Sequence, residues 1–191
     1  MPRLSCGHDP GVPRHPQRLR ILAAQRPATK VNTRSSLAQV AHNAAERRAA
    51  KAALKHPPVR FTGPQAKAIA HGFTIAAAER DYAIRALAIL PDHAHLVIER
   101  HPRPIVEIAR HLKAKATQRL SAEGLHPLAK RVVMGGCIPS PWARNQWVVY
   151  IDTPEHIETA VRYVEQNPVK AGLPRQQWSV VEMGRRGKPR R

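Results

Sequence analysis

Apolar positions recur along most of this chain with two periods. Between residues 59 and 167 they return every three or four residues in three segments and at every second residue in shorter ones, as in helices and strands. The pattern predicts strands over 59–62, 83–90, 93–99 and 147–152, and helices over 64–80, 104–123 and 154–167. This order predicts an α+β fold, a ferredoxin-like split βαβ sandwich.

Local sequence signals set the ends of the predicted helices. Gly124 ends the second helix, and Thr153 with Pro154 forms an N-cap and first-turn pair for the third. Because the residue before a proline avoids the helical conformation, Pro168 predicts that the third helix finishes at Asn167.

The first 57 residues have a different character. Residues 1–60 carry 12 Lys or Arg and 2 acidic residues, a local net charge of +10. Prolines interrupt the first 27 residues, whereas the Ala-rich stretch 37–54 predicts a helix. We therefore expect a basic, partly irregular N-terminal arm over 1–57, one catalytic domain over 58–178 and a basic C-terminal tail over 179–191.

The charge of the whole chain narrows the choice of partner. Its 191 residues include 32 Lys plus Arg and 13 Asp plus Glu, a formal net charge of +19. Such an excess of cations indicates a polyanionic partner, nucleic acid before any membrane surface. No apolar run approaches the roughly 20 residues of a membrane span, and the N-terminus lacks the pattern of a signal peptide. The expectation is a cytoplasmic protein with no membrane partner.

Two histidines at alternate positions form the first candidate site. In a strand, His93 and His95 face one side while Ala94, Leu96 and Ile98 face the helices on the other. Two neutral imidazoles placed side by side can share one divalent cation. On this pattern alone, two half-exposed strand histidines without a metal are the commoner outcome.

The predicted third helix supplies the second candidate site. Tyr163 and Asn167 lie four residues apart, at the flank of the helix's predicted buried stripe. That stripe comprises Ile157, Ala160, Val161 and Val164. On spacing alone, the favoured explanation is a tyrosine with its hydroxyl in water and an asparagine that caps the helix before Pro168.

Together, the two candidate sites contain the parts of a metal-assisted tyrosine nucleophile. A cation on His93 and His95, with Asn167 as an oxygen ligand, would neutralise the charge of a phosphodiester. Tyr163 would then attack the phosphate and form a covalent phosphotyrosine, which stores the energy of the cut bond for later rejoining.

Three segments carry a resemblance to a known family. ILPDHAHLVIE at 89–99, SPWARNQWVVYID at 140–152 and RYVEQNPVKAGLP at 162–174 resemble the single-tyrosine HUH transposases, especially the REP-associated and IS200-like members. The resemblance implies the HUH endonuclease fold, a Mg²⁺ or Mn²⁺ cofactor, and single-stranded DNA next to a hairpin or inverted repeat as substrate. It also implies a bacterial protein that is associated with the nucleoid when bound to DNA.

The resemblance assigns roles by position. His93 and His95 become the metal ligands, Asn167 the polar ligand that completes the site, and Tyr163 the nucleophile that joins a DNA 5′ phosphate. Tyr150, just before the third helix, is a rival nucleophile, but only Tyr163 has an asparagine four residues on.

The sequence departs from the family pattern in two places. Ala94 is smaller than the usual middle residue of the histidine motif, although it still suits a buried face. The hydrophobic first strand typical of the family has no counterpart before Arg20. Val59–Thr62 or Leu19–Ala23 could replace it, and a truncated copy is the further alternative.

Basic and aromatic residues outside the motifs are candidate DNA contacts. Those on the second helix are Arg110, Lys113, Lys115 and Arg119, and Lys170 follows the predicted third helix. A solvated helix face explains such a run of charges about equally well. Of the three tryptophans that could stack unpaired bases, Trp147 and Trp178 are better explained by core packing than Trp142 is.

The sequence therefore predicts a metal-dependent single-stranded DNA endonuclease and strand transferase, that is, a transposase. One alternative is a noncatalytic DNA-binding remnant or domesticated relative. A further alternative is a replication initiator or relaxase-type HUH nuclease. Both a monomer and a homodimer fit the sequence, so Tyr163 could serve the metal site of its own chain or that of a partner.

Overall fold

A four-stranded sheet with helices on both faces organises the chain in a computed structural model. The structure describes residues 18–24, 59–131, 137–142, 146–151 and 153–185. The strands are β1 (Arg18–Ala24), β2 (Ile84–Leu90), β3 (His93–Ile98) and β4 (Trp147–Ile151), and the helices are α1 (Gly63–Arg80), α2 (Ile105–Ala122), α3 (Pro154–Lys170) and α4 (Ser179–Arg185). The predicted α+β class is confirmed, and the predicted helix over 37–54 lies outside the described residues.

The strand order is β2-β3-β1-β4. β2 and β3 form an antiparallel hairpin, and β1 lies between β3 and β4, parallel to both. β3, α2 and β4 therefore make a split βαβ unit, in which two parallel strands are joined by a helix and separated by an inserted strand. Of the two segments proposed to replace the missing first strand, Leu19–Ala23 is confirmed, although it falls within the range assigned to the N-terminal arm.

The predicted strand over Val59–Thr62 is wrong. Thr62 is instead the N-cap of α1: its hydroxyl accepts the Gln65 N–H, and the Gln65 side chain accepts the Thr62 N–H. The Phe61 side chain is buried, and its N–H donates to the Pro91 carbonyl at 2.8 Å. The apolar residues before the helix therefore anchor its start and do not join the sheet.

α1 and α2 cover one face of the sheet. They enclose the larger hydrophobic core, which includes Ile69, Phe73, Leu87, Ile89, Ala94, Leu96, Ile98, Ile108, Leu112 and Leu120. The two helices lie in close contact at Gly72, where an added Cβ would lie 2.5 Å from the Ala116 Cα. Glycine at this position therefore permits the helix contact on which the core depends.

α3 covers the opposite face and continues beyond its predicted end. Asn167 was predicted as its last residue, but Pro168 lies inside the final turn and is buried. Gly172, with a φ of 72°, ends the helix in a Schellman motif: Leu173 N–H donates to Pro168 O at 2.8 Å and Gly172 N–H to Val169 O at 3.0 Å. This cap stabilises the turn that follows the proline, which is why the predicted boundary is wrong.

The fold continues into the range assigned to a basic tail. Val180 of α4 is 1% exposed and belongs to the core between α1 and β2. Trp178, just before α4, packs against the same core. None of the described helices is both long enough and apolar enough to cross a membrane.

We expect Gly72→Ala to destabilise the protein by separating α1 from α2. Overpacking of this kind costs about 1–3 kcal/mol, more than the gain of about 1 kcal/mol in helix propensity. Thermal unfolding followed by circular dichroism measures the change. Gly63→Ala is the matched control, since a Cβ at Gly63 meets nothing within 4 Å. Equal melting temperatures for the two variants would contradict the tight helix contact.

Candidate active site

β3 places two imidazoles side by side on the face covered by α3. The ring centroids of His93 and His95 lie 4.6 Å apart, and the rings are nearly perpendicular at 80°. The residues between and beyond them, Ala94, Leu96 and Ile98, belong to the core under α1 and α2. The predicted division of this strand between a histidine face and an apolar face is therefore confirmed.

The two histidines have different surroundings. His93 is partly exposed, and its Nδ1 lies 2.7 Å from the Asp92 carboxylate. This contact fixes the ring and leaves Nε2 to point away from the carboxylate, as in many metal-binding histidines. His95 is 1% exposed and is paired in register with Ala88 of β2. The small Ala88 side chain on the same face leaves room for the imidazole.

α3 brings a tyrosine to this histidine pair. The Thr153 hydroxyl caps the start of the helix by accepting the His156 N–H. Ala160 and Val164 are buried against the sheet in a second, smaller core, so that face of the helix is fixed. The Tyr163 ring centroid then lies 5.9 Å from that of His95, at an interplanar angle of 88°. The phenol thus meets the buried imidazole edge-on.

Asn167 lies one helical turn after Tyr163 and is partly buried. Its side-chain Nδ2 is fully buried and has no hydrogen-bond partner among the described residues. A buried amide left in this state costs about 1–3 kcal/mol, and rotation of the amide exchanges Nδ2 with the oxygen. The amide is therefore suited to a ligand other than the residues that the structure describes.

The imidazole nitrogens and the amide oxygen at this site are suitable ligands for a divalent cation. In the described part of the chain, no group of three or more His, Cys, Asp or Glu side chains is placed to hold a metal ion. A site here consequently needs a different third ligand beside His93 and His95, and the Asn167 amide oxygen is of the right chemical type.

Tyr150 does not share the histidine face. Along β4, Val149 and Ile151 pack against the smaller core under α3, whereas Val148 packs against the larger core. Since side chains alternate along a strand, Tyr150 points to the same side as Val148 and is 39% exposed. The structure therefore brings only Tyr163 to the histidine pair.

The basic residues predicted on α2 do not form one face. Successive residues advance by about 100° around a helix, which places Arg110 and Lys113 on one flank of the buried side and Lys115 and Arg119 on the other. Lys115 pairs with Glu79, and Arg119 pairs with Glu123. Only Arg110 is exposed without an ion pair within the described ranges.

Lys113 is buried rather than presented to solvent. It is 8% exposed, and its Nζ donates to the Gln146 side-chain oxygen at 3.4 Å. Burial, assisted by the nearby charge of Arg110, lowers the pKa of Lys113 to about 8. The Lys113 side chain is therefore engaged within the protein and is not exposed for contact with a DNA phosphate.

Lys170 is the predicted basic residue closest to the tyrosine. Its Nζ lies 5.6 Å from the centroid of the Tyr163 ring, within the range of a cation–π contact. Lys170 is exposed, and it forms no ion pair with any described acidic residue. It thus combines solvent access with proximity to the candidate nucleophile.

Two of the three tryptophans lie in or against the core. Trp142, for which base stacking was left open, is buried: its ring centroid lies 5.3 Å from that of Phe61, and its Nε1–H donates to the Thr117 hydroxyl. The Trp142 indole therefore belongs to the core. Trp178 is partly buried against the same core, as predicted. The side chain of Trp147 lies outside the described part of the structure.

Two polar residues that contact the β2–β3 hairpin or belong to its turn were not assigned a role by sequence reasoning. Asp92 directly precedes His93, and this adjacency was the available signal for its contact with the imidazole. Gln176 forms two hydrogen bonds with the backbone of Ile89 in β2, and no sequence pattern marks it.

Comparisons with known proteins agree with this arrangement. Neither a search of characterised proteins nor one of solved structures finds a match for the chain. A family model described as an IS200-like transposase matches residues 55–167, a span that begins before α1 and ends at Asn167. It includes both histidines and the tyrosine, and its members are DNA-processing enzymes. Because the match covers more than half of the sequence, the chain belongs to the IS200-like transposase family.

Proposed function

We propose that this transposase cuts and rejoins single-stranded DNA through Tyr163, with a divalent cation held by His93, His95 and Asn167. The observation that carries the proposal is the edge-on approach of the Tyr163 ring to His95, with centroids 5.9 Å apart. Asn167, one turn further along the same helix, presents a buried amide with an unused hydrogen-bonding group.

The proposed reaction exchanges one phosphate ester for another. The Tyr163 hydroxyl oxygen attacks the phosphorus of a DNA phosphodiester, and the bond from phosphorus to the 3′ oxygen breaks. The tyrosine becomes joined to the 5′ phosphate, the phenol proton passes to solvent, and the departing 3′ oxygen takes up a proton. Attack by another 3′ hydroxyl on the phosphotyrosine reverses the step and joins two strands without a nucleotide cofactor.

The protein groups around Tyr163 suit this reaction. Imidazole nitrogens of His93 and His95 and the amide oxygen of Asn167 would hold the cation, and Asp92 would orient His93. When bound, the cation supplies positive charge that stabilises the phosphate oxygens and favours the phenolate. Because two of the three ligands are nitrogens, we propose Mn²⁺ as the preferred ion over Mg²⁺, which favours oxygen ligands.

The burial of the site favours a single strand as substrate. His95 is 1% exposed, and Tyr163 is partly buried against the smaller core. A flexible strand can bring one phosphate into such a recess more easily than a stiff duplex can. Lys170 would contact that strand next to Tyr163, and Arg110 is the remaining exposed candidate on α2. A neighbouring hairpin or inverted repeat stays part of the proposal through the family resemblance.

The noncatalytic alternative rested on two arguments, the absence of the first strand and the very basic arms of the chain. The first no longer holds, because Arg18–Ala24 forms an inner strand of the sheet. We therefore favour an active enzyme over a noncatalytic remnant. We propose that it acts in the cytoplasm, on DNA of the nucleoid. Binding without covalent chemistry is the result that would favour the remnant.

Tyr163→Phe should abolish covalent attachment of DNA, because phenylalanine keeps the ring and removes the attacking oxygen. Labelled hairpin-flanked single strands are incubated with the protein and Mn²⁺, and adducts are counted by denaturing electrophoresis. Tyr150→Phe is the matched control and should form adducts as the wild type does. Adducts that persist in Tyr163→Phe and disappear in Tyr150→Phe would overturn the assignment, and binding without any adduct would favour the remnant.

Asp92→Ala should weaken Mn²⁺ binding about 10- to 100-fold, the usual effect of removing a carboxylate that orients a metal-binding histidine. Asn167→Leu should weaken it through loss of the oxygen ligand. Electron paramagnetic resonance of free Mn²⁺ measures the affinity without any need for activity. Glu158→Ala removes the same charge as Asp92→Ala from an exposed site on α3 and should leave the affinity unchanged. Unaltered binding in both site variants would contradict the proposed ligands.

Lys170→Gln should weaken single-stranded DNA binding. It should also make the slope of log binding constant against log salt concentration less negative by about 0.7, the change expected for one lost phosphate contact. Fluorescence anisotropy over a series of salt concentrations gives the slope. Lys67→Gln, which removes an exposed charge from α1 on the other side of the sheet, is the control and should retain the wild-type slope. Equal slopes in all three proteins would exclude a phosphate contact at Lys170.

A further inference from the structure

The Gln176 side chain hydrogen-bonds to β2 as a neighbouring strand would. The Ile89 N–H donates to its Oε1 at 2.8 Å, and its Nε2 donates to the Ile89 carbonyl at 2.7 Å. These are the two bonds that a paired strand would exchange with Ile89, and among the described strands β2 lies at the edge of the sheet. The Trp178 indole N–H donates to the same Oε1 at 3.2 Å, which fixes the orientation of the amide.

The point of attachment lies in the hairpin that carries the histidines. Ile89 is paired with Ala94, the residue between His93 and His95. Any movement of the chain at Gln176 relative to Ile89 is therefore a movement relative to the histidine pair.

Gln176 also belongs to the segment that leaves the tyrosine helix. α3 ends at Lys170, and its Schellman cap at Gly172 and Leu173 turns the chain back toward β2. At its other end, α3 begins at Pro154, shortly after β4 ends at Ile151. Both ends of α3 are thus attached to the same sheet. Its start follows β4 closely along the chain, and the segment after its end is bonded to β2 through Gln176.

We propose that Gln176 is a positioning residue that holds the exit of the Tyr163 helix against the hairpin that carries the histidines. This inference rests on the proposed function and extends it to the geometry of attack. Gln176 does not touch the reacting atoms. It acts by limiting how far the exit of α3 can move from β2, and attack at phosphorus is sensitive to such movement.

Gln176→Ala should slow adduct formation while DNA affinity stays the same. A displacement of about 1 Å at a reacting centre costs on the order of 100-fold in rate, so we expect a loss of about 10- to 100-fold at saturating DNA. The measurement compares the single-turnover rate of adduct formation with the dissociation constant of the DNA. The neighbouring exposed Gln177→Ala is the matched control and should match the wild type in both.

A structural readout separates this proposal from the proposed function. Hydrogen exchange should rise about fivefold or more in peptides covering 84–90 and 163–173 of Gln176→Ala, and should not change in Gln177→Ala. Gln176→Glu keeps the size of the side chain and the acceptor for Ile89 but removes the donor. Gln176→Glu should show the same changes, and it is the test variant if Gln176→Ala fails to fold.

Wild-type exchange in 163–173, or a wild-type rate of adduct formation in a folded Gln176 variant, would overturn the positioning role. If the wild-type protein itself forms no adduct, the proposed function fails, and the exchange data still decide whether Gln176 positions α3.

Discussion

The alternation of side chains along β3 is the constraint on which the rest of the structure depends. One six-residue strand must satisfy two environments, because α1 and α2 cover one of its faces and α3 covers the other. Ala94, Leu96 and Ile98 supply the apolar face, and the opposite positions are left for His93 and His95. A shift of one residue in register would exchange the two faces, bury the imidazoles in the larger core and remove the candidate site. Folding and site formation are therefore set by the same pairing.

The two cores of the protein serve different purposes. The larger core under α1 and α2 contains most of the large buried side chains and fixes the sheet. The smaller core under α3 is built mainly from small and medium-sized residues, including Ala86, Ala88 and Ala160, and an imidazole and a phenol fit beside them. Close packing on one face thus provides the stable platform, and small side chains on the other provide the space that the polar groups need.

The sequence predicted what depends on local pattern and missed what depends on long-range contacts. The period of apolar residues located α1, α2, β2 and β3, since burial acts on each of them directly. Local pattern could not show three contacts, because the partners are distant along the chain. These are the hydrogen bond from Lys113 to Gln146, the ring contact of Trp142 with Phe61 and the hydrogen bonds of Gln176 with Ile89. The histidine pair and the tyrosine were identified by their spacing, whereas their mutual approach required the fold.

The segment from Asn167 to Leu173 shows how structural and chemical demands can fall on the same few residues. The Asn167 carbonyl accepts the Ala171 N–H, so the main chain of this residue closes the helix while its side chain lies at the site. Pro168 has no N–H to donate back to Val164, and the cap at Gly172, with its positive φ, offsets that loss by holding the last turn. Since this turn also places Lys170 near the Tyr163 ring, a helix that stopped at the proline would lose the lysine from that position. The cap therefore also serves the candidate site, because it determines where the side chains of Asn167 and Lys170 are held.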